Sequence, residues 1–163
     1  MTANLRDATA DDVDALVTLI NAAYRVEDFF KGSDRIDRAE VLDKMQHGRF
    51  LVLEDGNALA GCVYVEVNDR VGYFGLLSID PSRQRQGLGA RLIGIAEAAC
   101  RDVGCREMEI WVVDLRTELP PYYRRFGYAE AGTCPFPADE PTSQPCRFIV
   151  MRKPLQTDYN PRP

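Results

Sequence analysis

One stretch of this 163-residue chain concentrates side chains and backbone suited to chemistry: Ser78-Ile79-Asp80-Pro81-Ser82-Arg83-Gln84-Arg85-Gln86-Gly87-Leu88-Gly89-Ala90-Arg91-Leu92. It leaves a buried strand and enters a helix through two glycines. The first amides of a helix lack internal partners, the helix dipole adds partial positive charge, and glycines let an anion reach the backbone. A phosphate is therefore the natural guest, and Arg83, Arg85 and Arg91 sharpen the local field in a chain that is acidic overall. Two phosphate motifs are excluded residue by residue. A P-loop needs Gly-Lys followed by Ser or Thr, and the segment has none. A dinucleotide fingerprint needs a third glycine where Leu92 stands, and it follows the first strand of a parallel unit, whereas this turn follows several strands.

The remaining reactive residue types restrict the chemistry further. Only one histidine, His47, is present, so neither a multi-imidazole metal site nor a set of Ser-His pairs is available, and no metal is expected. His47 precedes Gly48 at a helix end, where a cation is routine, and takes no catalytic role. Cys62, Cys100, Cys105, Cys134 and Cys146 are odd in number and contain no Cys-x-x-Cys pair, which predicts free thiols in a reducing cytoplasm. Twenty Lys plus Arg against 25 Asp plus Glu give a net charge of -5, and 45% of residues are hydrophobic. This excludes a disordered acidic tail and a generally basic nucleic-acid binder. No apolar run approaches the ~20 residues of a membrane span, so a cytoplasmic protein with neither nucleic-acid nor membrane partner is expected.

The elements that must position the glycine turn follow from hydrophobic period. Val13, Leu16, Val17, Ile20 and Tyr24 form a stripe over a helix from Asp11 to Tyr24, entered through a capping-box-like Thr9 and Asp12. A second helix carries Val41, Leu42 and Met45 and stops at Gly48. Strands are predicted over Phe50 to Glu54, Leu59 to Val67 and Val71 to Asp80, joined by the Asp55-Gly56-Asn57 and Asn68-Asp69-Arg70 turns. Gly72 and Gly75 inside the third strand predict a bulge or a close backbone approach. A helix from Gln86 to Val103 then crosses to a strand from Met108 to Asp114. A short helix over Pro121 to Phe126, a strand from Tyr128, a Pro-rich loop and a strand from Phe148 to Met151 complete an α/β (α+β) order. Residues 1–153 are expected to form a single domain and 154–163 an irregular tail.

Gln84-x-x-Gly87-x-Gly89 resembles the Gln/Arg-x-x-Gly-x-Gly/Ala motif of the GNAT superfamily of acyl-CoA-dependent N-acetyltransferases, and the element order resembles that family over nearly the whole chain. The resemblance implies a mixed, mostly antiparallel central sheet with helices on both faces and a splayed pair of strands at the CoA site. It implies acetyl-CoA as co-substrate, with the amides of Arg85, Gln86, Gly87, Leu88, Gly89 and Ala90, together with Gln84, around the pyrophosphate. Leu77, Ser78 and Ile79 would bond the pantetheine arm like an added strand. Tyr122-Tyr123-Arg124-Arg125-Phe126-Gly127-Tyr128 resembles the family's Phe-Tyr-x-x-x-Gly-Phe segment, which gives Tyr123 the task of protonating the departing CoA thiolate. The chain departs from the family at Arg116, where Asn is frequent, and Arg116 is expected to meet a phosphate. The family's interhelical loop lines the acceptor side, so Tyr24, Arg25, Glu27, Phe29 and Phe30 are expected to shape the acceptor pocket.

An acceptor amine arrives as ammonium, with a pKa near ~10, and must lose a proton before attack. Glu27, Asp28, Glu66 and Glu109 are candidate bases, and the preference falls on Glu66, which shares a strand face with Cys62 and Tyr64. A cysteine acyl-enzyme through Cys62 would lack an activating histidine. The leading expectation is transfer of acetyl from acetyl-CoA to a primary amine, of a small molecule or a peptide, by direct attack in a ternary complex. Glu27 and Asp28 near the expected mouth favour a cationic acceptor or a basic peptide end. A non-catalytic acyl-CoA-binding regulatory module is the alternative, which Tyr123 argues against, and a dinucleotide-dependent oxidoreductase is third. Among assemblies, the resemblance leaves a homodimer open.

Overall fold

Thr9 opens the first helix as its spacing predicts. In the computed structural model, which describes residues 3–155, Asp12 Oδ2 accepts from the Thr9 amide at 2.8 Å and Thr9 Oγ1 accepts from the Asp11 amide at 3.3 Å. The guanidinium of Arg6 clamps the same Asp12 carboxylate through two bonds of 2.8 Å. Helix α1 (Val13–Ala23) lies between 3-10 turns at Ala10–Asp12 and Tyr24–Glu27. Helix α2 (Arg38–His47) starts on Asp37, whose side chain accepts from the Glu40 amide. Val41 of α2 is buried, while Leu42 is exposed.

The strands are β1 (Asn4–Asp7), β2 (Arg49–Asp55), β3 (Ala58–Asn68), β4 (Val71–Ile79), β5 (Glu107–Val113), β6 (Ala129–Pro135) and β7 (Arg147–Pro154). They form one sheet in the order β1-β2-β3-β4-β5-β7-β6, antiparallel except for β4 beside β5. Strand β1 was not placed by periodicity, because four residues on a sheet edge with Leu5 exposed carry little pattern. The helix α3 (Leu88–Asp102) crosses from β4 to β5, and α4 (Leu119–Arg124) precedes the closing β6–β7 hairpin. Of the expected tail, Pro154 ends β7, and Leu155 is buried and bonds through its amide to Arg106 O. Residues 156–163 lie outside the described residues.

Both sheet faces are covered, which is why β2 reads as a continuous apolar run instead of an alternation. Leu51 and Leu53 join the cluster under α3 with Leu92, Ile93 and Ala96, while Phe50 and Val52 join Leu16, Ile20 and Val41 under α1 and α2. All five cysteines are free. Among the described residues no helix is long and apolar enough to cross a membrane.

Gly72 is where the two sheet halves are pressed together. A Cβ there would stand 2.5 Å from Cys100 Sγ and 2.6 Å from Met108 Sδ. Gly72→Ala should therefore cost about 1–3 kcal/mol through overpacking. Urea denaturation should show a lower midpoint with an unchanged slope.

Candidate active site

Strands β4 and β5 pair only over three residues, Val71 to Tyr73 against Glu107 to Glu109. Beyond that point they part for two reasons that the residues supply. Between Gly75 and Ser78 the register of β4 against β3 slips, with Leu76 in the left-handed region at φ 53. A leucine in that conformation is strained, and its burial in the α1 cluster holds it there. Meanwhile β5 continues from Ile110 to Val113 paired on its other edge with β7. The edge of β4 that faces the opening is left without β5 as a ladder partner, so its backbone groups are available to a ligand.

The glycine turn stands at one end of this opening. Arg85 at φ 66 and Gly87 at φ 77 both take left-handed backbone, and Gly87 caps α3. Successive amides in such a conformation form a concavity for an anion. A Cβ on Gly87 would meet nothing within 4 Å, so the space above it is open. A cleft of ≈ 610 Å³ runs from here, lined by Gln84, Arg85, Gly87, Leu88, Gly89 and Ala90 and continued by Leu77 and Ile79. These nine expected contacts, counted with Arg116, share one cleft. Ser78 and Gln86 do not line it. Ser78 is buried on the other side of β4, where its hydroxyl donates to Leu76 O at 2.9 Å.

The three arginines do not act alike. Arg83 lines the cleft and pairs with Asp55 at 2.5 Å, Arg85 lines it, and Arg91 is outside its lining and donates to Ala3 O at 3.1 Å. Arg116 lines the cleft but is bound to Glu27 at 3.1 Å and Glu118 at 2.6 Å. The phosphate role expected of Arg116 thus competes with two carboxylates already in place. Tyr122, Arg125 and Phe126 also line the cleft, and Tyr122 and Phe126 pack against the core cluster as well.

Pro120 and Pro121 fill the first turn of α4 and fix the presentation of Tyr123. Its ring packs against Phe74, Tyr122 and Tyr128 with centroids 6.1, 5.1 and 6.1 Å away. Among the described residues the Tyr123 hydroxyl has no hydrogen-bond partner. Burial pushes its pKa well above the ordinary tyrosine value, so it stands as a neutral phenol. Tyr24 and Tyr73 are raised in the same direction by burial.

Tyr123 also lines a second cavity, of ≈ 280 Å³. Tyr24, Leu77, Arg116, Leu119 and Tyr123 line both spaces, which makes Tyr123 part of their shared wall. Of the expected acceptor residues, Tyr24 and Glu27 line this cavity and Phe30 does not; Phe30 is buried against Phe29 at 4.9 Å. Glu66, the preferred base, is not brought to Tyr123. It lines a neighbouring pocket with Lys44, Tyr73 and Trp111, and its carboxylate accepts from Tyr64 Oη at 2.9 Å. Glu27 is the carboxylate that shares the cavity with Tyr123 among the four candidates.

Sequence reasoning missed Lys31, Arg35, Lys44, Tyr73 and Trp111, all on this cavity's wall. They come from a loop, a polar helix face and two strands, with no common spacing to announce them. The Pro-rich β6–β7 loop also reaches the cavity: Glu140 pairs with the buried Lys31 at 2.9 Å and the Ser143 amide donates to Phe30 O at 2.9 Å.

A cleft open along a strand edge and ending in an anion cradle takes a long phosphate-bearing molecule lengthwise, and these residues fit the extended form of an acyl-CoA. Residues 13–128 match the Acetyltransferase (GNAT) family, and the chain belongs to that family. It is 30% identical over 137 residues to an amino-acid acetyltransferase of Ralstonia nicotianae, covering 83% of this chain and 28% of that relative, so the chain spans little more than a quarter of its length. The fold is that of the ribosomal-protein-S18-alanine N-acetyltransferase from Escherichia coli, with a TM-score of 0.78, 15% identity and 99% of each chain covered. It is also that of N-acetylglutamate synthase from Neisseria gonorrhoeae, solved with coenzyme A and N-acetyl-glutamate. That likeness has a TM-score of 0.72 and 17% identity, over 96% of this chain and 36% of the other.

Proposed function

We propose that this chain is an N-acetyltransferase that moves the acetyl group of acetyl-CoA to a primary amine by direct attack. The observation that carries the reading is the position of Tyr123 in the wall shared by the glycine-turn cleft and the charged cavity. Acetyl-CoA supplies an activated acyl group on sulfur. The amides from Arg85 to Ala90 hold its pyrophosphate, and the β4 edge around Leu77 and Ile79 holds the arm that leads to the thioester. Unpaired β4 amides past the bulge face the acyl oxygen and stabilise charge that develops there.

In the second cavity Glu27 orients the acceptor ammonium and takes its proton, directly or through a water. The nitrogen then forms its bond to the acyl carbon while the carbon–sulfur bond breaks. Tyr123 gives its proton to the departing sulfur, whose basicity is close to that of a cysteine thiolate. The nitrogen's second proton passes to solvent as the amide forms, and regeneration moves one proton from Glu27 to the phenolate by way of solvent, so each turnover releases one proton. Cys62 is no competing nucleophile: it is fully buried, and that burial pushes its thiol up to about 12. A cytoplasmic setting belongs to the same reading, supported by the five free thiols.

Acetyl-CoA at 100 times its Kd should stabilise the fold by about 2.7 kcal/mol, read as a raised Tm. Thiol release should then follow addition of amines. An unmoved Tm contradicts the reading, whereas stabilisation without transfer to any amine points to a non-catalytic acyl-CoA-binding module.

A further inference from the structure

The charges around the acceptor cavity do not match a cationic acceptor. Lys31, Arg35, Lys44 and Arg116 line it against Glu27, Glu40 and Glu140, one positive charge in excess within a chain of net -5. Two of the four cations are already neutralised locally, Lys31 by Glu140 at 2.9 Å and Arg116 by Glu118 at 2.6 Å in addition to Glu27 at 3.1 Å. Arg35 and Lys44 make no ion pair with a carboxylate among the described residues. Aromatic faces hold them instead: the Arg35 guanidinium is 5.3 Å from the Tyr24 ring centroid and Lys44 Nζ is 4.9 Å from that of Tyr64.

Two fixed cations side by side cost free energy that a bound anion would recover. Burial, followed by the charge of Arg35, lowers the pKa of Lys44. Glu40, Glu66 and Asp43 act on these cations only from beyond ion-pair distance among the described residues. The same cavity carries an aromatic wall of Tyr73, Trp111 and Phe148, with Tyr73–Trp111 and Trp111–Phe148 centroids 5.9 and 5.7 Å apart. The β6–β7 loop is tied to residues 29–31 across the cavity by Ser143 and Glu140, which suits a small molecule better than a polypeptide.

We propose that the acceptor is an amine that also bears a carboxylate, of the amino-acid class, and that Arg35 and Lys44 bind this carboxylate while Glu27 faces the ammonium. The assignment rests on the acetyl-transfer reading of the same cavity. It makes Arg35 and Lys44 specificity residues with no part in holding CoA.

The test sets free amino acids against their primary amides, which keep the amine and side chain and lose only the negative charge. Amide amines are the less basic, so without carboxylate recognition the amides would be the faster acceptors. Charge-assisted hydrogen bonds are worth about 1.5–3 kcal/mol, so kcat/KM should favour the preferred acids by at least ~10-fold over their amides. In Arg35→Gln and Lys44→Gln this ratio should collapse through a raised KM for the acid, with the KM for acetyl-CoA unchanged. A binding arm on the unmodified protein decides the matter even without turnover. With CoA saturating, the acids should raise Tm and the amides should not. Amides equal to or better than acids, a ratio that survives both substitutions, or a peptide amine preferred over every free amino acid would each overturn the proposal. Failure of CoA itself to bind would instead bring down the acetyl-transfer reading.

Discussion

Tyr123→Phe is expected to lower kcat by about 10²–10⁴-fold, the usual worth of a positioned general acid, without changing stability or acetyl-CoA binding. Phenylalanine keeps the ring that packs on Phe74, Tyr122 and Tyr128. The lost hydroxyl has no partner among the described residues, so no buried group there is orphaned by its removal. Because burial raises the Tyr123 pKa, the phenol stays protonated across the pH range in which acceptor amines ionise. The rate should accordingly rise with pH as the acceptor loses its proton, with no downturn from Tyr123. That rising limb should persist in the variant at the lower rate. Unchanged thiol release from Tyr123→Phe would place the acid elsewhere.

Gly87→Val should abolish cofactor binding while leaving most of the fold. Gly87 sits at φ 77, where a side chain costs roughly 1–2 kcal/mol and a β-branched one is disfavoured further. More important, its Cβ would enter space that is now open above the helix entrance, the space assigned to pyrophosphate. Loss of one or two charge-assisted bonds to backbone amides, each worth about 1.5–3 kcal/mol, predicts a rise in the Kd for acetyl-CoA of ~100-fold or more. Titration calorimetry reads this directly. Gly94→Ala is the control: it lies in α3 outside the cleft lining, a Cβ there would meet nothing within 4 Å, and the Kd should change little. An unchanged Kd in Gly87→Val would mean that the turn matters for helix packing and not for an anion.

The legible parts of the fold are those with strong period or punctuation. The α1 stripe, the Thr9–Asp12 cap and the β2–β3–β4 meander were all readable because local spacing and burial agree there. The strand order was not, since insertion of β7 between β5 and β6 is a long-range choice that no local pattern encodes. The irregularity of β4 was foreseen from Gly72 and Gly75, yet the left-handed residue is Leu76. The glycines serve close approach instead, Gly72 to Cys100 and Met108 and Gly75 to the Tyr73 hydroxyl.

The site divides in the same way. The glycine-turn end is contiguous in sequence, and Gln84, Arg85, Gly87, Leu88, Gly89 and Ala90 line one cleft there. The acceptor end is assembled from the interhelical loop, α2, β4, β5 and the β6–β7 loop. Its cations were hidden, so local sequence displayed only the acidic Glu27-Asp28 pair at the expected mouth. Glu66 was chosen for sharing a strand face, but a face does not fix which of two neighbouring pockets a side chain enters.

Direct transfer makes one demand that no rival mechanism shares. Purified protein mixed with acetyl-CoA alone should release no thiol, and its intact mass should show no added acetyl group. Addition of the amine should then yield CoA thiol and N-acetylated product in equal amounts. Stable acetylation of the protein before amine is added, or thiol release without acetylated amine, would contradict transfer by direct attack.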